Sequence, residues 1–328
     1  MVVSSIQFKR RKLFGVIAGT AAWGTGASLT AHSWAAEPAV PAEGNTNPMQ
    51  TGQPSRTALA TAILRAAHQL YDSPLVFDDS LALSIAGARA TTALRDDTLN
   101  LRKPTPLRAH LVLRARHTED ALAAAFDRGV RQYVVLGAGL DTFGCRNPFG
   151  ASLRVFEVDH PSTQQWKRAR LAENGITAPS SLSFAPVDFE RQTIAEGLAR
   201  AGFHAGQPAF VSMLGVVMYL TPAAAYDTFR FAATLPAGSE FVFDYGVPDA
   251  LLSVAERAAR AASAQRVAAA GEPWINWYEP ASLAEKLHRA GFSVTQNLDP
   301  QTANSRYFAG RTDALRLANG GHMMLARV

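Results

Sequence analysis

The sequence predicts an α/β fold, a mostly parallel, Rossmann-like sheet with helices on both faces and an N-terminal cap of helices. Two observations carry this. From Gly129 onward, short β-rich runs at 132–136, 153–158, 182–187, 209–214 and 240–245 alternate with helical stretches, and such alternation builds a parallel sheet covered on both sides. Within it, Val134-Val135-Leu136 runs straight into Gly137-Ala138-Gly139. Glycine permits the tight turn there and lets a ligand approach the backbone closely, as nucleotide folds require after their first strand.

Composition sets the bounds. With 328 residues, 48% hydrophobic and 18% charged, the chain can bury a substantial core and is not a disordered one. The net charge of +5 is spread along the chain apart from Lys9-Arg10-Arg11-Lys12, a poor footprint for nucleic acid, so no nucleic-acid partner is expected. The single cysteine, Cys145, excludes an internal disulfide and a zinc site of paired thiolates.

The first fifty residues differ in kind from the rest. The basic cluster precedes 13–36, a stretch without Asp, Glu, Lys or Arg, and Ser33-Trp34-Ala35 offers small residues at cleavage spacing. Arg10-Arg11 followed by Lys12-Leu13-Phe14 resembles a twin-arginine export signal over residues 1–36, with cleavage near Ala35. A start at Met49 in a cytoplasmic protein is the competing reading. The stretch is too rich in Gly, Ala and Thr for a stable membrane span. Residues 37–54 hold four of the eighteen prolines and read as a linker.

The folded domain is expected over 55–328, with a helical cap at 55–128 and the Rossmann-like core at 129–328. Ser55 can cap a helix running through Tyr71, with Ala58, Ala62, Leu64 and Leu70 as its apolar stripe. Further helices are expected near 79–85 and 107–128. Beyond the five β-rich runs, a lid or surface helix at 249–270, a helix at 280–290 and strands at 292–297 and 322–327 complete the chain.

The second strand ends in Asp159, where a carboxylate can hold both hydroxyls of a ribose. That acid and the glycine turn leave NAD and S-adenosylmethionine both open, although Thr142 stands where the dinucleotide fingerprint has its third glycine. The third strand ends at Asp188-Phe189. An acid there can accept from an adenine amino group beside the ring, or simply cap a helix.

Taken together, these residues resemble the leucine carboxyl methyltransferase family, especially its bacterial branch of S-adenosylmethionine-dependent methyltransferases. The resemblance covers 55–328 and is carried by Ser55-Arg56-Thr57-Ala58, Val76-Phe77-Asp78-Asp79, the run from Leu136 to Thr142, Phe156-Glu157-Val158-Asp159-His160-Pro161 and Val187-Asp188-Phe189. Val217-Met218-Tyr219-Leu220-Thr221-Pro222 and Gly271-Glu272-Pro273-Trp274 add to it. It implies a class I methyltransferase fold, a seven-stranded sheet whose last strand is antiparallel, and S-adenosylmethionine as cofactor. It further implies that Arg56 and Arg114 hold the methionyl carboxylate, with a guanidinium's paired hydrogen bonds suited to that task. Gly137 and Gly139 would lie beneath the cofactor, Asp159 on the ribose, and Asp188 with Phe189 at the adenine. The chain departs from the family at Leu214, where relatives carry a glutamate that contacts the cofactor.

The acceptor is expected to be a small molecule or a carboxyl group. A carboxylate is already anionic and needs no general base, and no nucleophile–base pair stands at diagnostic spacing. Tyr219 and Trp274 are candidate acceptor-pocket residues, with core packing the alternative for each. His110, His117 and His160 lack a metal-ligand grouping, so no metal is expected, and His160 before Pro161 reads as a cap. Two rivals remain: a regulatory binder that has lost turnover, which Leu214 would favour, and an NAD-dependent oxidoreductase.

Overall fold

The computed structural model describes residues 55–328 other than 190 and 270; the expected signal at 1–36 and linker at 37–54 lie outside the described residues. Seven strands form: β1 Gln132–Leu136, β2 Arg154–Asp159, β3 Leu182–Pro186, β4 Phe210–Met213, β5 Glu240–Gly246, β6 Val294–Leu298 and β7 Gly321–Arg327. They make one sheet in the order β3-β2-β1-β4-β5-β7-β6. β1 to β5 are parallel, and β7 runs antiparallel between β5 and β6. The strand count and the reversed last strand are those expected from the sequence.

The central strands are buried on both faces, so β1 and β5 show no exposed residue, as parallel sheets require. Alternation sends their side chains to two separate cores. Val134, Leu136, Phe156, Phe241 and Phe243 pack on one face with Phe229, Leu283 and Leu287. Tyr133, Val135, Val155 and Val242 pack on the other with Val112 and Leu113 of the cap.

The cap consists of α1 Arg56–Tyr71, α2 Ala82–Ala86, α3 Ala88–Arg95 and α4 Pro106–Asp127. Ser55 caps α1 through the Ala58 N–H, as the sequence predicts. The buried stripe of α1 keeps the expected Ala62 but continues through Ala66, both fully buried, whereas Leu70 is 37% exposed and Leu64 is half-buried. Positions 62 and 66 share a face at i, i+4 spacing, and 64 and 70 fall off it. The helix expected at 79–85 shortens to α2, and α3 is additional. α3 buries only Leu94, too narrow an apolar signal to read from the chain.

Two buried carboxylates fasten the cap. Asp72 takes a bidentate grip from Arg108 of α4 at 2.8 and 2.6 Å and accepts from His68 at 2.7 Å; the other ring nitrogen of His68 accepts the Val76 N–H. Asp79, 1% exposed, meets Arg65 of α1 at 3.3 Å, Arg146 at 3.0 Å and the Thr142 hydroxyl at 2.8 Å. Arg146 ends the short helix α5 Phe143–Arg146 and also reaches Glu119 of α4 at 2.7 Å.

The remaining helices are α6 Pro161–Glu173, α7 Ile194–Arg200, α8 Pro222–Ala233, α9 Val254–Ala269, α10 Pro280–Ala290 and α11 Pro300–Tyr307. α9 buries none of its side chains and lies on the surface. No described helix is long and apolar enough to cross a membrane.

α11 docks on α4 through Tyr307, whose hydroxyl donates to Asp120 at 3.2 Å and accepts from His117 Nδ1 at 3.1 Å. Burial, aided by Arg306, pushes the His117 pKa down from 6.5 to about 4. Between those values the unfolded chain binds a proton that the folded one does not, so stability falls as pH drops through the window. We expect the wild type to lose about 2 kcal/mol from this group between pH 7 and pH 5. His117→Gln should flatten that part of the urea-denaturation profile.

Candidate functional site

The strand order reverses at β1, which has β2 on one side and β4 on the other. Crevices beyond the C-terminal ends of strands at such a point are where open α/β sheets take ligands. Gly137 and Gly139 lie there with φ of +70° and +46°, a region that ordinary side chains rarely adopt. A Cβ at Gly137 would collide with the Val216 side chain, and one at Gly139 would come within 3.3 Å of Ala58 on α1. The turn is therefore a narrow floor, with the cap on one side and the loop after β4 on the other.

Asp159 ends β2 and closes back on this floor. Its Oδ2 accepts the Gly139 N–H and its Oδ1 the His160 N–H, both at 2.6 Å. Burial raises the Asp159 pKa, and those two N–H groups oppose the rise. Each oxygen retains a further lone pair, so the carboxylate can also accept hydroxyl groups. His160 is the N-cap of α6, its Nδ1 accepting the Ser162 N–H, as the sequence suggested.

One strand further out, Asp188 and Phe189 follow β3. The Asp188 carbonyl accepts from Arg191 and Gln192, its carboxylate lies 3.5 Å from the Arg191 guanidinium, and Phe189 is half-buried against the core. α7 begins at Ile194 with Thr193 as its cap, so the alternative of Asp188 as a helix cap is corrected. Gly137, Gly139, Asp159 and Asp188 thus follow three adjacent strands in a row.

On the β4 and β5 side the anchor is Asp244, fully buried. Its Oδ1 accepts the Gly215 N–H at 2.5 Å, while Oδ2 meets His110 at 3.0 Å and Arg114 at 3.3 Å. Burial alone would raise its pKa, but Arg114, His110 and the Gly215 N–H outweigh that and hold the carboxyl well below the usual range. Arg114 lies flat on Gly215, where a Cβ would come within 2.5 Å of Nη1. Its Nε and Nη2 make no hydrogen bond among the described residues. The Arg56 side chain lies outside the described part; its backbone opens α1.

The far wall is the segment after α9. Ile275 donates its N–H to the Met218 carbonyl at 2.8 Å and Tyr278 to that of Gly246 at 2.9 Å, which seats 271–278 across the ends of β4 and β5. Trp274 stands edge-on to Trp277 at 6.0 Å. Burial raises the Tyr219 pKa; the charges of Glu272 and Arg114 act on its hydroxyl from nearby, as do the polar groups of Trp274 and Thr57. The Thr57 hydroxyl donates to Glu272 Oε2, joining the first turn of α1 to this wall. Glu272 Oε1 and Trp274 Nε1 are buried with no hydrogen-bond partner among the described residues. Buried polar atoms are rarely left unpaired, which marks this wall as a place for a ligand's polar groups.

Sequence reasoning missed Asp244, Gly215 and the part played by Glu272. An acid inside Phe241-Val242-Phe243-Asp244-Tyr245 is the signal that marks the first, because an apolar strand seldom carries a charge without a partner. His110 is engaged with Asp244, and His117 sits away from the site against α11. Leu214 packs partly buried against the cap-side core.

The family model for leucine carboxyl methyltransferase matches residues 58–233. A Bacillus subtilis (strain 168) protein assigned as an S-adenosyl-L-methionine-dependent methyltransferase, YktD, is 33% identical over 297 residues, covering 81% of this chain and 95% of its own. A Mycobacterium tuberculosis protein with the same assignment is 30% identical over 271 residues, covering 75% and 85%. The crystal structure of a Thermobifida fusca YX protein, assigned as a methyltransferase, shares the fold with a TM-score of 0.50 at 17% identity, covering 85% of this chain and 96% of that one.

Removing the Asp244 carboxylate leaves the Arg114 charge and the Gly215 N–H without their partner. Asp244→Ala is expected to lower the unfolding free energy by about 3–5 kcal/mol in urea titrations. Asp244→Asn, which keeps one acceptor, should cost less.

Proposed function

The chain belongs to the leucine carboxyl methyltransferase family, and from that premise we propose that it methylates a carboxylate oxygen on a small acceptor. It is an S-adenosylmethionine-dependent methyltransferase, and the residues present fit that cofactor. Asp159 has acceptor capacity for ribose hydroxyls and Asp188 with Phe189 offers an acid and a ring for the adenine. Arg114 keeps N–H groups for a carboxylate, and Arg56 at the start of α1 is its proposed companion. Gly137 and Gly139 would lie beneath the ligand.

The observation that carries the carboxylate reading is the half-buried Tyr219 phenol, with the Trp274 indole N–H next to its oxygen. Burial raises the Tyr219 pKa, so at neutral pH the phenol keeps its proton and can donate. A phenol donor at this wall suits an ionised carboxylate, which needs orientation and no proton removal. The bound cofactor supplies an electrophilic methyl on a sulfonium. The chain's own work is to hold the acceptor oxygen in line and to keep water out with Trp274, Tyr219 and the first turn of α1. Alignment of this kind can contribute roughly 7–11 kcal/mol.

The test uses the full chain, methyl-labelled cofactor and a panel of carboxylic acids matched against phenols, amines and thiols of similar size. Transfer to carboxylates is expected, with label released as methanol in mild alkali. Label that survives alkali would move the acceptor to another atom, and no transfer to any acceptor would support a binder without turnover. In calorimetry, Asp159→Ala should weaken S-adenosylhomocysteine about tenfold or more, the loss typical of hydrogen bonds to a charged group.

A further inference from the structure

The polar groups that wall the site divide by sign, and most of the anionic oxygens among them already accept a hydrogen bond from the folded chain. Asp159 gives one oxygen to Gly139 and the other to His160. Asp244 is used by Gly215, His110 and Arg114. The position directly after β4 is Leu214, packed in the core, so that strand end contributes no charge. Glu272 alone among these acids has an oxygen buried without a partner, while its other oxygen accepts from Thr57. The unpartnered carboxylate oxygens of Glu157 and Glu240 lie elsewhere, the first on β2 beside Lys167 and the second at the opposite end of the sheet.

Position makes Glu272 more than an orphan. Thr57 adjoins Ala58, the residue that packs over Gly139, so the carboxylate overlooks the glycine floor. Arg114 packs on Gly215, next to the Val216 that covers Gly137, and Glu272 is bonded to Thr57, next to the Ala58 that covers Gly139, which puts a cation with spare N–H groups and an anion with a spare oxygen on the two sides of the glycine floor. A zwitterionic amino-acid group needs that pairing: a guanidinium for its carboxylate and a carboxylate for its ammonium, whose three N–H groups are all donors. Resting on the assignment of S-adenosylmethionine as methyl donor, we infer that Glu272 binds the ammonium at the amino-acid end of the cofactor, opposite Arg114.

The test compares two ligands that share the adenosine and differ in that end. S-adenosylhomocysteine carries the amino acid; 5′-methylthioadenosine lacks it. In calorimetric titrations of the full chain, Glu272→Gln is expected to weaken S-adenosylhomocysteine about ten- to hundred-fold and 5′-methylthioadenosine less than about twofold. Glu272→Asp keeps the charge and should recover part of the lost affinity. Thr57→Val removes only the bond between the two walls and should shift both ligands by the same factor. Equal weakening of both ligands by Glu272→Gln, or unchanged affinity for S-adenosylhomocysteine, overturns the role of Glu272 while leaving the cofactor assignment intact. Failure of the wild type to bind either ligand overturns both. Thermal melts of each variant separate misfolding from lost binding, and if Glu272→Gln does not fold, the Asp variant must by itself reduce the preference for S-adenosylhomocysteine.

Discussion

One buried carboxylate joins the two halves of this molecule. Asp79 leaves the cap as an anion almost sealed from water and finds Arg65 on α1, Arg146 on α5 and the hydroxyl of Thr142. Arg65 in turn donates to the carbonyl of Leu140, inside the turn that follows β1, and Arg146 continues to Glu119 on α4. An unpaired charge at that depth would be prohibitively costly, so the cap can settle only where the core presents those partners. The position of α1 over Gly139 follows from this, and with it the shape of the site. Thr142, which breaks the dinucleotide fingerprint, has its own use as one of these partners.

Around the glycine floor the chemistry is divided between a finished side and an unfinished one. Asp159, through the Gly139 and His160 N–H groups, and Asp244, through Gly215, His110 and Arg114, hold the turn, the loop after β4 and Arg114 in fixed relation. Trp274 and Glu272, on the opposite wall, carry buried polar atoms that make no hydrogen bond of ordinary geometry among the described residues. A protein that builds rigid hydrogen bonding on three strand ends and leaves open valences on a connecting segment has separated scaffold from recognition. The span that matches the family model, 58–233, contains the glycine turn, Asp159 and Arg114 and stops short of Asp244 and of the other wall.

Much of the architecture was legible because it is written in local pattern. The parallel strands are continuous apolar runs, the first turn announces itself with two glycines, and Ser55 and His160 cap helices at the positions where their side chains promise it. What was not legible depends on contacts between distant segments. The burial of Ala66 in place of Leu64 and Leu70 is decided by where α2 and α3 dock, which no periodicity in α1 reveals. Asp244 looks like an oddity in a strand until Arg114 and His110 arrive from α4. Asp188 could be read as a cap until Thr193 is seen to take that place. Glu272 was visible as part of a motif, yet its unused oxygen exists only in three dimensions.

The bridge from Thr57 to Glu272 spans 215 positions of sequence. As the chain is synthesised from its N-terminus, α1, the glycine floor and Asp159 are all available long before the segment that faces them. The first half of the molecule can acquire its scaffold early, because Asp79, Arg65 and Arg146 lie within one stretch. The pocket as a ligand would meet it comes into being only when residue 272 crosses back over the start of the domain. The complete pocket therefore exists only once the last third of the chain has been made, well after the network around Asp79 has all its residues.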